Sequence, residues 1–208
     1  MKFLVLGATG GIGFEIVKQA VARGHDVRAL VRSPDRLSSY ASQISVVRGD
    51  VLSPAAIEEA LQGRDAVLSA FGPRVPLQKS DSDLLRRFAG ALTAAMSRAG
   101  GPRLIIVSTA FLFKDSLLPP AYLVGRLFFP TVVEDASEME TTVMKSGLDW
   151  TIVRPPQLTD HPHTGKYRVK EGHLPLFGFK ISRADVADFM ISIAENGSFS
   201  RKIAGVCR

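Results

Sequence analysis

Apolar residues fall into two rhythms along this chain. Short apolar runs at Phe3–Leu6, Asp26–Val31, Ile44–Val47, Asp65–Phe71, Leu104–Val107 and Trp150–Val153 read as strands. Between them, apolar residues recur three and four apart, the spacing of one helix face. Ile12, Ile16, Val17, Ala20 and Val21 form the first such stripe, and Gly24 ends it in the position of a left-handed cap. Pro54 to Leu61 follows, with Ser53 as N-cap and Pro54 at the first helical position. A long helix is expected from Ser80 to Ala99, opened by a Ser80/Asp83 capping box and stopped by Gly100 and Gly101. Leu84, Leu85, Phe88, Leu92, Ala95 and Met96 are its apolar face. Thr131 to Ser146 reads as another helix, capped by Gly147. Ser182 opens a last helix with Asp185 as capping-box partner, and Val186, Phe189, Met190 and Ile193 point inward. Tyr167–Val169 is expected to be a short strand near the strand-end rim, and Lys202–Val206 the final strand.

This alternation predicts an α/β fold: a Rossmann-like, doubly wound parallel sheet with helices on both faces, in a single domain over residues 1–208. Residues 110–130 break the rhythm. Ala110–Phe113 and Tyr122–Pro130 are apolar, and Pro119 and Pro120 forbid one continuous helix. A long segment after the fifth strand is where a substrate pocket would sit, and a buried connection or a dimer contact is an equal reading. A second pocket segment is expected at about 155–180.

Composition narrows the class. With 208 residues, 46% of them hydrophobic, the chain can build one substantial core. No apolar run reaches membrane-spanning length and the start lacks the order of a signal peptide, so no membrane association is expected. One cysteine, Cys207, cannot form an internal disulfide, which points to a reducing cytoplasm. The net charge of +6 comes from scattered Lys and Arg residues with no RNA-binding or helix-turn-helix signature, so no specific nucleic-acid partner is expected. Asp160-His161-Pro162-His163 lacks a third ligand in a recognisable pattern, and no metal site is expected.

The candidate chemistry lies in Gly7-Ala8-Thr9-Gly10-Gly11-Ile12-Gly13, between the first strand and the first helix. Gly7 permits a sharp turn, Gly10 lets backbone approach a pyrophosphate, and Gly13 lets the helix pack close to the sheet. The helix N-terminus then offers free N–H groups and a positive dipole end to the phosphates. The spacing is Gly-x-x-Gly-x-x-Gly, which predicts a dinucleotide-binding unit in this strand–turn–helix setting.

Ligands of such sheets bind beyond the carboxyl ends of the strands. Gly7, Arg32, Asp50, Gly72, Thr109 and Pro155 should therefore share one rim. The expected cofactor contacts are Gly7, Thr9, Gly10, Gly11, Ile12 and Gly13 in the turn, then Arg32 and Arg36, Asp50 and Val51, Ala70, Phe71 and Gly72, Ser108 and Thr109, and Pro155 and Pro156. Arg32, at the end of the second strand, suits a 2′-phosphate where an acidic residue would hold a ribose hydroxyl, and Arg36 adds a second donor one turn on. Asp50 can accept from the adenine amino group. Gly72-Pro73-Arg74-Val75-Pro76 forms a loop beside the expected nicotinamide ribose.

Gly7-Ala8-Thr9-Gly10, Val31-Arg32 with Arg36-Leu37, Gly49-Asp50-Val51, Ser108-Thr109-Ala110-Phe111-Leu112, Ser146-Gly147-Leu148, Pro155-Pro156 and Thr164-Gly165-Lys166-Tyr167 occur in one order along the chain. This pattern resembles the atypical short-chain dehydrogenase/reductase group, and within it the biliverdin reductase B / flavin reductase family. The resemblance implies NADPH as cofactor and reduction of flavins or related planar acceptors. Conventional superfamily members carry a Tyr-x-x-x-Lys pair, expected here near Val132 and Ala136, where neither residue can titrate. Tyr122 and Arg126 have the spacing but fall outside the expected helix, and arginine replaces lysine poorly. Flavin reduction does not need the pair. The family's serine near the transferred hydride is Thr109, its histidine after the double proline is Gln157, and its tryptophan in the following loop is Lys114. Biliverdin as substrate is thereby put in doubt.

The expected activity is hydride transfer from NADPH to a flavin, quinone-like or related planar acceptor, with Thr109 as the catalytic hydroxyl and Phe111 and Gln157 against the acceptor. A non-catalytic NADP(H)-binding regulator is the alternative, motivated by the missing pair, and a sugar-nucleotide epimerase or dehydratase stands behind it. The oligomeric state is left open.

Cofactor choice gives the first prediction. A charge-assisted arginine–phosphate bond is worth about 1.5–3 kcal/mol, less when exposed, which corresponds to a roughly ten- to hundredfold preference for NADPH over NADH. Arg32→Ala should weaken NADPH binding far more than NADH binding, and added salt should narrow the gap in the unmodified protein. Equal titration affinities for the two nucleotides before any substitution would show that Arg32 points elsewhere.

Overall fold

A computed structural model of the protein describes residues 1–73, 82–115 and 120–208. Ten strands and six α-helices follow one another among these residues: β1 Lys2–Leu6, α1 Gly11–Ala22, β2 Asp26–Val31, β3 Ser45–Arg48, α2 Pro54–Leu61, β4 Ala66–Ser69, α3 Leu84–Arg98, β5 Arg103–Val107, α4 Ala121–Phe128, α5 Pro130–Lys145, β6 Trp150–Arg154, β7 Gln157–Thr159, β8 Arg168–Glu171, β9 Lys180–Ser182, α6 Arg183–Asn196 and β10 Lys202–Cys207. Short 3₁₀ turns occupy Asp35–Tyr40 and Ala110–Leu112.

Eight strands form one sheet in the order β3-β2-β1-β4-β5-β6-β10-β8, and β7 and β9 form a separate parallel pair. All pairings in the large sheet are parallel except β10 with β8, at the edge. The Rossmann-like expectation therefore holds, with one antiparallel strand that the alternation alone did not reveal. The chain runs outward through β2 and β3, then returns to the other side of β1 for β4. That reversal opens a crevice between the ends of β1 and β4, the place where doubly wound sheets bind ligands.

Both faces of the sheet are covered, as continuously apolar strands require. Phe3 and Val5 of β1 pack with Ile16, Val17 and Ala20 of α1 and with Val186, Phe189 and Met190 of α6. Leu4 and Leu6, one residue out of phase, pack with Ile57 of α2, Phe88 and Leu92 of α3, and Met139 and Val143 of α5. The helix ends follow local chemistry where the cap is local. Ser53 Oγ accepts from Ala56 N, Gly24 takes φ +76° after α1, and Gly147 takes φ +74° after α5.

Two caps differ from expectation. The helix placed at Ser80–Ala99 begins at Leu84, and Asp83 makes no side-chain cap. Its free N–H groups are met from another helix: Leu85 N and Arg86 N donate to the buried carboxylate of Asp135, at 2.8 and 2.9 Å. Ser80, and Arg74 to Pro76 of the expected loop, lie outside the described residues. At α6, Ser182 Oγ does accept from Asp185 N, at 2.9 Å. The Asp185 carboxylate, however, accepts from Thr164 N, Thr164 Oγ1 and Gly165 N, at 2.8–3.0 Å, and fastens the segment before β8 to the start of α6.

Burial alone would raise the Asp185 carboxyl, but the hydrogen bonds from Thr164 and Gly165 outweigh it and hold the group below the usual carboxylate range. A depressed carboxylate contributes stability above its unfolded value and loses it as pH falls through the folded one. Asp185→Asn should cost about 1–3 kcal/mol at neutral pH. In paired denaturation series, the gap between variant and parent should begin to narrow below about pH 4, near the unfolded carboxyl value, and shrink further as pH falls through the lower folded value.

Candidate functional site

The glycine turn is built by backbone meeting backbone. Gly7 leaves β1 at φ +76°, and a Cβ there would lie 2.7 Å from the Ala70 carbonyl carbon beyond β4. Gly10 N donates to Gly7 O at 2.8 Å, and a Cβ on Gly10 would press on that oxygen at 3.2 Å. A Cβ on Gly13 would overlap the same oxygen. α1 therefore starts against the end of β1. Gly10 is its N-cap, no side chain caps it, and its first turn carries no acidic residue. The first intrahelical donor is Phe14 N, to Gly10 O. That leaves the N–H groups of Gly11, Ile12 and Gly13 free for an anion. Nearby strand ends carry hydroxyls without partners among the described residues: Ser69 Oγ on β4 and Ser108 Oγ after β5, both shielded from solvent. A turn whose own residues leave room for close backbone approach, with orphan hydroxyls along the same rim, fits a dinucleotide.

Around this cradle the structure places the other expected contacts at strand ends. Arg32 follows β2, is exposed, and makes no hydrogen bond or ion pair among the described residues. Arg36 reaches back to the turn: Nη1 donates to Thr9 O at 2.8 Å, and its guanidinium lies over the Phe14 ring, 5.4 Å from the centroid. Asp50, after β3, accepts from Leu52 N with Oδ1 at 3.0 Å, so its other oxygen stays available. Val51 is buried. Ala70 N donates to Leu6 O, which ties the start of Ala70-Phe71-Gly72 to β1, and the Phe71 ring packs at a tilt of 47° against Phe88 of α3.

The other half of the rim joins β5 to β6. Ser108 N donates to Val153 O at 2.7 Å and Ala110 N to Pro155 O at 3.0 Å, so the two strand-end loops run side by side. Thr109 Oγ1 accepts from Phe111 N at 3.2 Å and caps the short 3₁₀ turn. With one lone pair so engaged, its proton is free to donate elsewhere. Phe111 stacks on Phe129, with ring centroids 5.7 Å apart and 12° between planes, and its side chain fills the space a Cβ on Gly125 would need. Pro155 is buried and Pro156 half-buried. Gln157 N donates to Phe179 O at 3.3 Å, leaving the Gln157 side chain exposed. Beneath the loop, Arg154 makes a two-pronged ion pair with Glu140 of α5, with Nε to Oε1 at 2.9 Å, and its guanidinium lies 4.7 Å from the Phe113 ring centre.

Tyr122 and Arg126 fall outside α5, as expected, yet stand on a separate helix, α4, in the segment where the helical rhythm breaks, and Arg126 Nη1 donates to Tyr122 Oη at 3.2 Å. Lys114 Nζ sits over the same ring, 5.9 Å from its centroid. The hydrogen bond from Arg126, backed by the positive charges of Arg126 and Lys114, holds the Tyr122 phenol below its ordinary range. A titratable tyrosine with a basic partner therefore stands on the helix that follows Thr109 and Phe111. Prolines flanking this segment hid the helix, while the four-residue spacing was the signal that pointed to the pair. A second residue unassigned from sequence is Arg183, whose side chain lies directly on Gly11. The signal for it is Gly11 itself, a glycine beyond the three that the turn requires.

Comparison with known proteins agrees with this geometry. An uncharacterised chloroplastic protein of Arabidopsis thaliana, At2g34460, is 32% identical over 209 aligned positions, covering 95% of this chain and 74% of the relative. A solved structure from Burkholderia pseudomallei, provisionally described as an exported protein, shares 29% identity and covers both chains fully with a TM-score of 0.83. Another from Streptococcus pneumoniae TIGR4, provisionally described as an NADH-flavin reductase, shares 25% identity, covers 100% of this chain and 99% of its own, and has a TM-score of 0.82. Among the described residues, no helix is long and apolar enough to cross a membrane. Residues 7–197 match the family described as NAD(P)H-binding, and the span includes the glycine turn, both strand-end loops and α6. The chain belongs to this NAD(P)H-binding family of Rossmann-fold, oxidoreductase-like proteins.

Proposed function

We propose that the protein is an NADPH-dependent reductase that passes a hydride to a planar acceptor of the flavin or quinone type. The observation that carries the reading is the half-rim after β5 and β6. A hydroxyl whose proton no described residue accepts, Thr109, is fixed there beside a stacked aromatic pair, Phe111 and Phe129, on strand ends of the same rim as the glycine turn, with β4 between. When bound, the reduced nicotinamide supplies the hydride, and the acceptor takes one proton to complete a two-electron reduction. The chain's own part is chiefly positioning: holding ring against ring, keeping water from the flat faces, and orienting the acceptor. Thr109 donates to an acceptor heteroatom. Phe111 offers a flat wall, and Gln157 an amide at the open edge. The description of the Streptococcus pneumoniae relative supports a flavin acceptor. Arg32 and Arg36 support NADPH over NADH.

A second reading is favoured by Tyr122 and Arg126. A phenol held below its ordinary range by a hydrogen-bonded guanidinium can protonate a carbonyl oxygen as hydride arrives. The acceptor would then be an aldehyde or ketone.

Steady-state NADPH oxidation with FMN, riboflavin, quinones and simple carbonyl compounds separates these readings. Turnover with the planar acceptors is expected. Tight NADPH binding with no oxidation above the protein-free rate for any acceptor would return the protein to the role of a nucleotide-binding regulator. Thr109→Val should lower turnover about tenfold, the loss of one charge-free hydrogen bond in the reacting complex, with NADPH affinity unchanged. Tyr122→Phe should change flavin reduction by less than about twofold, whereas a proton-donor role for the phenol predicts a loss of about a hundredfold or more.

A further inference from the structure

The short pair β7–β9 ends in two charged residues. Its register sets Gln157 beside Lys180 and Thr159 beside Ser182, so the residues that follow, Asp160 and Arg183, emerge together. Arg183 Nη1 donates to Asp160 Oδ1 at 2.7 Å. Asp160 is almost fully exposed, whereas only 30% of the Arg183 side chain meets solvent. Most of the arginine is covered because it lies across the first residue of α1. A Cβ on Gly11 would meet Arg183 Cδ and Nε, the latter at 2.7 Å, and would stand 3.7 Å from the guanidinium carbon.

Fingerprint turns need glycine at the turn, at the phosphate approach and at the helix–strand contact, which are Gly7, Gly10 and Gly13 here. Gly11 serves none of these, has an ordinary φ, and clashes with nothing except this one side chain. Its missing Cβ makes room for an arginine at the mouth of the N–H cradle. The arrangement is held from a second direction as well, because Gln19 Nε2 of α1 donates to the carbonyl of Ala184, the residue after Arg183, at 2.9 Å. Asp160 occupies one nitrogen of a five-donor fork, so the remaining donors are free to meet an anion.

We infer that Arg183 is a side-chain anchor for the cofactor's pyrophosphate, laid over Gly11 and steadied by Asp160. The inference rests on the nucleotide site of the family and adds to it a residue from the far end of the chain. Two arginines then flank the turn: Arg36, bonded to Thr9 O, serves the adenosine side, and Arg183 serves the bridging phosphates. The same two-stranded pair reaches the acceptor end at Gln157. Three residues of strand span about 10 Å, close to the separation of a pyrophosphate from a nicotinamide ring. Seating the phosphates on Arg183 therefore also sets the position of the Gln157 loop.

Both NADPH and NADH carry the pyrophosphate, and only NADPH carries the 2′-phosphate, so calorimetric titration of each nucleotide isolates the role. Arg183→Gln should weaken both by the same factor, about tenfold for one partly exposed charge-assisted bond, leaving their ratio unchanged. Arg183→Lys should restore part of the loss, because the charge remains while the fork is gone. Gly11→Ala should reproduce the loss by pushing the arginine aside. The Arg183→Gln protein should melt within about 2 °C of the parent, as expected when one exposed ion pair is removed. Unchanged affinity for both nucleotides, or a loss confined to NADPH, would overturn the assignment. Failure of the unmodified protein to bind either nucleotide would instead overturn the underlying site, a distinct result.

Discussion

One contact on which the rest of the site depends is that of Gly13 with the carbonyl of Gly7. No side-chain carbon fits there, so the first turn of α1 starts flush against the end of β1. That contact sets where α1 lies on the sheet and which way its free N–H groups aim. α6 packs against α1 and is pinned by Gln19, so the placement of Arg183 and of the β9 end descends from the same contact. A single added methyl group would be felt from the phosphate cradle to the C-terminal helix. Backbone donors so held need no reorganisation to meet an anion, and the positive end of the helix points the same way.

The half of the rim after β5 and β6, proposed to face the acceptor, is held by side chains. α5 supplies two buried carboxylates to two different neighbours: Asp135 caps α3, and Glu140 pairs with Arg154 at the end of β6. A buried ion pair is weak evidence for stability, since desolvation offsets much of its attraction. What it does here is fix direction. The fork of Arg154 can meet both Glu140 oxygens in one orientation only, and the Phe113 ring closes off its other face. Arg154 immediately precedes Pro155 and Pro156, so the geometry of the loop beside Thr109 is transmitted from α5 through this pair. The cofactor half, dictated by backbone shape, and the acceptor half, dictated by packed side chains, respond to different substitutions. Changing Phe111, Gln157 or Lys114 would alter the proposed acceptor surface without touching the glycine turn.

Sequence periodicity revealed most of this architecture because its signals are local. β2 lies where the apolar run placed it, Asp26–Val31, and Ser53-Pro54 opens α2 as its cap chemistry requires. The misread features depend on partners far along the chain. Asp135 lies about fifty residues from the N–H groups it caps, so Ser80 and Asp83 looked like the natural capping pair. Asp185 has the spacing of a capping box, yet its carboxylate is committed to Thr164 and Gly165. α4 was hidden by its prolines. Pro119 and Pro120 forbid one continuous helix, but Pro120 is the N-cap of α4, and Pro130 likewise stands where α5 begins, a place that suits proline. With α4 hidden, Tyr122 and Arg126 seemed to lack the helix that gives their spacing meaning. Arg183 is singled out by no sequence signal of its own, because nothing local says what a side chain at a helix start will cover.

The two arginines of the adenosine side are not equivalent, and the difference follows from what each already touches. Arg36 is preorganised: one nitrogen is engaged by Thr9 O and the guanidinium plane rests over Phe14. Ordering it further costs little, but it also braces the glycine turn, so its removal acts on the cradle as well as on any phosphate it meets. Arg32 is exposed and makes no polar contact among the described residues. A phosphate must immobilise that whole side chain, at a rotamer cost of up to about 2 kcal/mol that subtracts from the bond formed. Under the proposed NADPH preference, discrimination falls chiefly to Arg32, which makes no polar contact among the described residues, whereas Arg36 adds rigidity shared by every ligand of the turn to whatever phosphate contact it makes. The cation proposed to carry specificity is thus the loosely held one, and the one held by the turn doubles as its brace.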